Sequence, residues 1–265
     1  MSAVDQLFVN LRKQGRKALM PFITAGDPDI ETTAAILRAV GPAGADLCEV
    51  GVPYSDPIAD GPVIQASYQR ALDKKFKLGQ IFDMGQQIAG DIQTPLVTMV
   101  SYAIIYRVGL AKYVEQAKAA GYAGAIVPDL LVEEAAELSK VCKAADFSLI
   151  QLVTPTTPRA RQVAIANSSS GFLYYVSVTG ITGERTALPD DLVDNVGWLR
   201  EQTELPICIG FGISGPETAA KLAPVADGLI VGSAIVKRMA AAPDQATAVT
   251  AVADFVTELR TAIDN

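Results

Sequence analysis

The sequence contains no histidine among its 265 residues. Histidine is the most frequent general base in enzymes and the most frequent transition-metal ligand in proteins. Any acid–base chemistry in this chain therefore falls to carboxylates, tyrosines, lysines or cysteines. Cysteine is scarce as well: Cys48, Cys142 and Cys208 are far apart, and no C-x-x-C motif occurs. We accordingly expect no metal site, and we predict that the cysteines are reduced thiols.

Positive charge and long apolar runs are also limited. The 22 basic residues are outnumbered by 29 acidic ones, for a net charge of −7, which disfavours a nucleic-acid surface and a polybasic membrane contact. The longest apolar run, around Leu96–Ile105, is interrupted by polar residues and is shorter than the roughly 20 residues of a membrane span. The N-terminal stretch Met1–Lys17 has no signal-peptide core. These features predict a cytoplasmic protein.

Short apolar runs alternate with longer amphipathic stretches along the whole chain. Continuous apolar runs are typical of parallel strands that are buried on both faces, and their spacing of roughly 30 residues is that of one βα unit. The predicted strands are Ala18–Thr24, Leu47–Val52, Leu96–Tyr102, Gly124–Pro128, Ser148–Val153, Phe172–Val178, Ile207–Phe211 and Gly228–Val231. The predicted helices include Val4–Arg12, Ile30–Val40, Ala111–Ala120, Glu133–Ala145, Asp191–Gln202 and Ala246–Ile263.

Strand–helix alternation is compatible with a doubly wound sheet or with a closed barrel. Eight repeats, together with a length close to the ~250 residues of one barrel, favour the barrel. We therefore predict one α/β domain over residues 1–265, a (βα)8 TIM barrel with the extra N-terminal helix Val4–Arg12 across its bottom. Active sites of such barrels lie at the carboxyl ends of the strands.

Glu49 interrupts the second predicted strand near its carboxyl end. A buried carboxylate is costly, so it requires an ion-pair partner, a raised pKa or a chemical role. A catalytic role and a structural ion pair with Arg or Lys both remain open, and the position of Glu49 favours the first.

Two aspartates follow on a proline-rich loop. Aspartate before proline or glycine commonly forms a turn, and Asp60 could cap the helix expected from Pro62. For Asp56 a turn or a partner contact is favoured over chemistry. For Asp60 catalysis and a local structural role remain equally open.

Glycines in the loops after the last two strands indicate a phosphate site. Gly212 follows the seventh strand, and Gly232 with Ser233 follows the eighth. These are the loops in which barrels often bind phosphate at a helix N-terminus. The run from Gly210 to Gly215 also matches the dinucleotide motif G-x-G-x-x-G, but the next strand lacks the acidic residue at its end that this motif expects. A phosphate loop is therefore favoured over a nicotinamide or flavin site.

The sixth strand carries two adjacent tyrosines, Tyr174 and Tyr175. Alternation along a strand predicts that one faces the barrel interior and the other the helix layer. The following loop, Thr179–Thr186, is long and polar for its type, which is typical of a mobile lid or of an ordinary surface loop. No lysine lies on a predicted strand, which disfavours Schiff-base chemistry. Acid–base catalysis by Glu49 and Asp60 on a phosphate-anchored substrate remains.

These residues together resemble the tryptophan synthase alpha chain family over nearly the whole chain. The segments that carry the resemblance are Pro21–Pro28, Glu49–Pro62, Gln65, Thr182-Gly183, Gly210–Glu217 and Val231–Val236. The resemblance implies a lyase that cleaves indole-3-glycerol phosphate to indole and glyceraldehyde 3-phosphate. It further implies that Glu49 shuttles protons between the side-chain hydroxyl and indole C3, that Asp60 holds the indole N–H, and that Tyr174 hydrogen-bonds near Glu49. The implied substrate and phosphate contacts are Phe22, Thr182, Gly183, Phe211, Gly212, Gly232 and Ser233.

The resemblance also implies a partner. The family works with a β subunit that carries pyridoxal phosphate, in an α2β2 heterotetramer, so no cofactor is expected in this chain itself. The loop with Pro53 and Asp56, and the segment after Tyr102, would contact that subunit. Family members often have Asn-Pro after this tyrosine, whereas Ala103-Ile104 stands here. The difference puts normal communication between the subunits in doubt.

Three other functions compete with the lyase subunit. A stand-alone lyase of the same chemistry is left open by Ala103-Ile104. A weakly catalytic binding or activating subunit is disfavoured by the presence of Glu49, Asp60 and both phosphate loops. A related phosphate-binding barrel, such as an isomerase or synthase of the same pathway, is disfavoured because it would use acid–base residues at other strand ends.

Overall fold

The computed structural model describes residues 1–58, 60–177 and 190–265. Its strands are β1 (Ala18–Thr24), β2 (Cys48–Gly51), β3 (Leu96–Met99), β4 (Tyr122–Ile126), β5 (Ser148–Ile150), β6 (Leu152–Val153), β7 (Leu173–Val176), β8 (Ile207–Gly210) and β9 (Gly228–Val231). Its helices are α1 (Ala3–Gln14), α2 (Ile30–Val40), α3 (Pro62–Asp73), α4 (Leu78–Ile88), α5 (Tyr102–Val108), α6 (Leu110–Ala119), α7 (Ala135–Ala144), α8 (Arg159–Ser168), α9 (Asp190–Arg200), α10 (Pro216–Leu222), α11 (Ser233–Ala241) and α12 (Gln245–Asp264). A 3-10 turn, Val132–Glu134, precedes α7.

The strands pair in parallel in the order β5-β4-β3-β2-β1-β9-β8-β7-β6. Only Gln151 separates β5 from β6, so both edges of the sheet belong to one extended segment. The Gln151 carbonyl accepts a hydrogen bond from the Tyr174 N–H at 3.1 Å, which continues the pairing across the interruption. The predicted eight-stranded barrel is thereby confirmed.

Two apolar cores follow from the alternation of side chains along the strands. The outer core lies between the sheet and the helices, whereas the inner core fills the barrel. Helix α1 contributes Val4, Phe8 and Leu11 to the inner core, and the Phe8 ring lies 5.7 Å from that of Phe172. The helix therefore covers the bottom of the barrel, as predicted.

The predicted bounds of β1, β9 and α2 agree with the structure, but the predicted end of the third strand is wrong. β3 ends at Met99, and Ser101 caps helix α5, which begins at Tyr102. Asp129 accepts hydrogen bonds from the Tyr102 N–H at 2.7 Å and from the Ser101 hydroxyl at 2.6 Å. These bonds turn the chain out of the sheet where the apolar pattern alone would continue it.

The three cysteines are buried and free of disulfides, as predicted. Among the described residues, no helix combines the length and the apolar character that crossing a membrane requires.

Candidate active site

Glu49 lies on the interior face of β2, in register with Phe22 of β1 and Val97 of β3. Its side chain is fully buried, and neither carboxyl oxygen has a hydrogen-bond partner among the described residues. No ion pair of the described chain involves Glu49, so the competing interpretation of a structural ion pair is not supported. Burial raises the pKa of Glu49 well above its ordinary value. Burial therefore favours the protonated form of Glu49, the form that can act as a general acid.

Asp60 lies in the loop between β2 and α3. Its backbone is fixed by two bonds: the N–H donates to the Pro57 carbonyl at 3.1 Å, and the carbonyl accepts from Gln65 Nε2 at 2.8 Å. Gly61, not Asp60, is the N-cap of α3, and no side chain caps that helix. The Oδ2 atom of Asp60 is buried without a hydrogen-bond partner among the described residues, and desolvation raises the pKa of Asp60 to about 6. The capping interpretation is thus wrong, and the carboxylate is left available.

Tyr174 and two phenylalanines form the apolar wall near the carboxylates. Tyr174 belongs to the inner core and Tyr175 to the outer one, as the alternation predicts. The Tyr174 ring packs edge-on against Phe211, with 6.4 Å between centroids. A Cβ atom at Gly210 would lie 2.2 Å from Tyr174 Oη, so only glycine fits there. Since neither oxygen of Glu49 has a partner in the described chain, the expected hydrogen bond of Tyr174 near Glu49 stays a prediction.

The opposite end of the site is made of backbone. Phe211 and Gly212 both have positive φ, 73° and 80°, and the Ser177 hydroxyl fixes this turn by donating to the Phe211 carbonyl at 3.0 Å. Gly232 precedes α11, whose first residue is Ser233. The N–H groups of a first helical turn have no partner within the helix. Together with the positive end of the helix dipole, they form a suitable place for an anion.

One cavity of about 320 Å³ joins the two ends. Its lining includes the predicted residues Phe22, Glu49, Asp60, Tyr174, Phe211, Gly212, Gly232 and Ser233. Sequence reasoning missed the lining residues Ile64, Met99, Ile230, Lys237 and Arg238. Lys237 could have been found, because it lies one helical turn after Ser233. The predicted Thr182 and Gly183 lie outside the described residues.

The predicted partner-contact residues lie around a second groove of about 890 Å³, lined by Pro53, Asp56, Ile58, Ala103 and Ile104 among others. Asp56 is exposed and accepts a hydrogen bond from the Ser55 hydroxyl at 2.6 Å. Ile58 is 91% exposed and Tyr106 is 71% exposed. Large apolar side chains that are exposed near a groove indicate a protein-interaction surface.

Within residues 1–58, 60–177 and 190–265, no cluster of three or more His, Cys, Asp or Glu side chains could hold a metal ion. Glu49 and Asp60 are the carboxylates that line the cavity among the residues that the structure describes. The chemistry available from the described side chains is therefore proton transfer next to an anion site.

Comparison with known proteins agrees with this geometry. The sequence model of the tryptophan synthase alpha chain family matches residues 8–264. The chain is 68% identical to the tryptophan synthase alpha chain of Rhodopirellula baltica over 276 residues, which cover 100% of this chain and 99% of that one. It is 45% identical to that of Caldanaerobacter subterraneus subsp. tengcongensis, with 98% and 99% covered.

Solved structures give the same result. The tryptophan synthase alpha chain of Legionella pneumophila superposes with a TM-score of 0.90 at 34% identity, over 100% of this chain and 98% of that one. A tryptophan synthase of M. tuberculosis in its ligand-free form superposes with a TM-score of 0.89 at 28% identity, over 100% of both chains. By sequence and by fold, this chain belongs to the tryptophan synthase alpha chain family, the lyases that cleave indole-3-glycerol phosphate in tryptophan biosynthesis.

Proposed function

We propose that Glu49 and Asp60 carry out the cleavage of indole-3-glycerol phosphate, with the substrate phosphate bound at the N-terminus of α11. The supporting observation is the layout of one cavity, which has two desolvated carboxyl groups at one end and the first turn of helix α11 at the other. The apolar wall between them suits an indole ring.

Glu49 transfers protons at both stages of the proposed reaction. Its carboxyl group donates a proton to indole C3, which places positive charge on the ring. The resulting carboxylate then removes the proton from the hydroxyl on the adjacent side-chain carbon. The bond between C3 and that carbon breaks, its electrons return to the ring, and the hydroxyl becomes the aldehyde of glyceraldehyde 3-phosphate. Glu49 ends with a proton, as it began, and its raised pKa suits both steps.

Asp60 and the phosphate loops hold the two ends of the substrate. The Asp60 carboxylate accepts the indole N–H and stabilises the positive charge of the protonated ring. Gly212, Gly232 and Ser233 bind the phosphate through N–H groups and the serine hydroxyl, with the predicted help of Thr182 and Gly183. Tyr174 hydrogen-bonds near Glu49. All of these groups belong to the chain itself, and we propose that no cofactor takes part in the cleavage.

A β subunit is the partner that membership of an alpha chain family implies. We propose an α2β2 heterotetramer in which only the β subunit carries pyridoxal phosphate. The groove with Pro53, Asp56, Ile58 and Ile104 is the proposed contact surface. The buried free cysteines suit a reducing, cytoplasmic location.

Two conservative variants test the assignment. Glu49→Gln keeps the shape of the side chain but removes the titratable group, so we expect kcat for cleavage to fall by about 10²–10⁴-fold. Asp60→Asn should also lose most activity. The exposed Glu258→Gln is the matched control and should cleave at the wild-type rate. Folding is checked by circular dichroism, and a folded Glu49→Gln variant with near wild-type turnover would remove Glu49 from the mechanism.

A further inference from the structure

Tyr68 is a buried tyrosine of α3 that the proposed mechanism does not use. Its side chain is 1% exposed, and its hydroxyl has no hydrogen-bond partner among the described residues. A buried hydroxyl without a partner is unfavourable. Such groups are concentrated where a ligand or a rearrangement supplies the partner.

The Tyr68 hydroxyl lies beside Gly51 of β2. Glu49 and Gly51 are two residues apart on β2, so their Cα–Cβ directions point to the same interior face. A Cβ atom at Gly51 would lie 3.0 Å from Tyr68 Oη and 2.4 Å from Phe22 Cζ. Glycine at position 51 therefore leaves room for the Tyr68 hydroxyl in the barrel interior. The hydroxyl lies one side-chain layer beyond Glu49, towards the loop that carries Asp60.

The frame around Tyr68 is rigid. Its ring packs against Tyr54 with 5.6 Å between centroids. The neighbouring Ser67 hydroxyl lies 2.7 Å from that of Thr24 on β1. One turn towards the start of α3, Ile64 lines the cavity beside Asp60. The Tyr68 hydroxyl is thus held by its helix. The backbone of Asp60 is held by two hydrogen bonds, so its carboxylate can adjust only by turning of the side chain.

We propose that Tyr68 is a positioning residue for the cleavage reaction, whose hydroxyl donates a hydrogen bond to the Asp60 carboxylate when substrate is bound. The unpartnered Oδ2 atom of Asp60 accepts this bond, which leaves the other oxygen for the indole N–H. Glu49 is the less suitable acceptor, because it must turn between C3 and the hydroxyl, and a fixed donor would hold it in place. The inference rests on the proposed function and adds one residue to it.

The ionisation of the neighbouring groups supports a donor role. Burial, and then the charges of Asp60 and Glu49 together with Tyr54, raise the pKa of Tyr68 well above its ordinary value, so the hydroxyl keeps its proton at every working pH. The charge of Asp60 contributes to the raised pKa of Tyr54, Tyr68 and Tyr174. On α11, which packs against α3, the charged residues at the cavity are Lys237 and Arg238.

Tyr68→Phe removes only the hydroxyl and provides the test. Loss of a hydrogen bond from a neutral donor to a carboxylate corresponds to a fall in kcat of about 10- to 150-fold. A donated bond also lowers the pKa of its carboxylate. The rising limb of the kcat–pH profile should therefore move to higher pH in the variant, by about half a unit or more. Tyr122→Phe, which loses a hydroxyl bonded to the Ile81 carbonyl at 3.2 Å, is the matched control and should leave the profile unchanged.

A second measurement does not depend on turnover. The carboxyl ¹³C resonance of Asp60, assigned by its absence in Asp60→Asn, is titrated in wild type and in Tyr68→Phe with indole bound. The inference expects a higher pKa of Asp60 in the variant. Equal titration curves, or a kcat within twofold and a superimposable pH profile, would overturn it. A wild-type protein that fails to cleave substrate would contradict the proposed function instead, and the titration would still decide the role of Tyr68.

Discussion

At the scale of single residues, the buried carboxyl groups of Glu49 and Asp60 lower the free energy of unfolding, because burial is unfavourable for their charged forms. Glu49 is buried without any partner in the described chain, and burial raises the pKa of both Glu49 and Asp60. A group whose pKa is raised by folding contributes stability below its unfolded pKa and loses it as pH rises through the folded value. For Asp60 the pH range over which this stability is lost extends from 3.8 to about 6. For Glu49 the range begins at 4.5 and extends upward.

Glu49→Gln should therefore be more stable than wild type at pH 8, although we expect it to lose most of its activity. Glutamine fills the same space without a group that must be protonated or buried as an anion. We expect the melting temperature at pH 8 to rise by a few degrees, since about 1 kcal/mol corresponds to 2–4 °C in a chain of this size. The difference should shrink towards pH 4, where Glu49 is protonated in both states. Calorimetry at several pH values checks this, and a variant that melts lower than wild type at pH 8 would contradict the account.

At the scale of elements, α3 connects the loop that carries Asp60 to the rest of the barrel. Arg70 near its end donates two hydrogen bonds to Asp27 after β1, at 2.9 and 2.6 Å. Asp27 is 2% exposed, whereas the Arg70 side chain is 42% exposed. The loop after β1 and the helix after the Asp60 loop are thereby fixed to each other.

Arg70→Met should destabilise the protein, because it leaves Asp27 buried without its cation. We expect a loss of about 1–3 kcal/mol in the free energy of unfolding. Arg38→Met breaks an exposed pair with Asp91 and is the control, with an expected change within about 1 kcal/mol. Urea titration measures the free energy of unfolding of both variants. Equal losses would show that the burial of Asp27 does not add to the cost of breaking its ion pair.

The sequence predicts elements where local pattern and tertiary contacts agree. Helix α2 has a clear apolar stripe and an aspartate cap at Asp29, and its bounds were predicted correctly. Helix α4 was missed although its buried residues Ile81, Met84 and Ile88 follow helical spacing. Its Gly85 allows close packing, since a Cβ atom there would lie 2.4 Å from the Ala120 carbonyl oxygen. Helix α8 was missed because only Gln162, Ile165 and Ala166 of it are buried. These contacts are between distant parts of the chain and leave no local pattern.

The same distinction applies to the site. Glu49 is visible in the sequence because a carboxylate in an apolar strand violates the strand's own pattern. The phosphate loops can be predicted because glycine lets the backbone approach an anion closely and helix N-termini bind anions. Tyr68 cannot be predicted as a site residue, because an aromatic residue at helical spacing is typical of the hydrophobic core. Its relation to Glu49 appears only when β2 and α3 are brought together, through the space that Gly51 leaves.

At the scale of the whole molecule, one face of the barrel contains both the active site and the proposed partner surface. The groove lined by Pro53, Asp56, Ile58 and Ile104 includes the loop that runs from β2 to Asp60. A partner bound there would contact the segment that positions the catalytic carboxylate. Coupling between this chain and the proposed partner would then have a short physical route.

Ile58→Ser should weaken binding of the β subunit. Ile58 is 91% exposed, and loss of a buried aliphatic side chain at an interface corresponds to about 1.5–3 kcal/mol, or roughly a 10- to 100-fold higher Kd. Val9→Ser on α1, at the opposite end of the barrel, is the control and should leave Kd unchanged. Isothermal titration with the β subunit measures both. An unchanged Kd in Ile58→Ser would place the partner elsewhere.

The central claim is that the carboxylate pair and the phosphate site together cleave indole-3-glycerol phosphate. Its most direct test is to mix the purified chain with this substrate, with and without the β subunit, and to follow indole and glyceraldehyde 3-phosphate, with Glu49→Gln as the blank. We predict equal amounts of the two products, released slowly by the chain alone and much faster with the partner. The variant should release both at least about 100-fold more slowly. Absence of both products in every sample, or equal release by wild type and Glu49→Gln, would contradict the account.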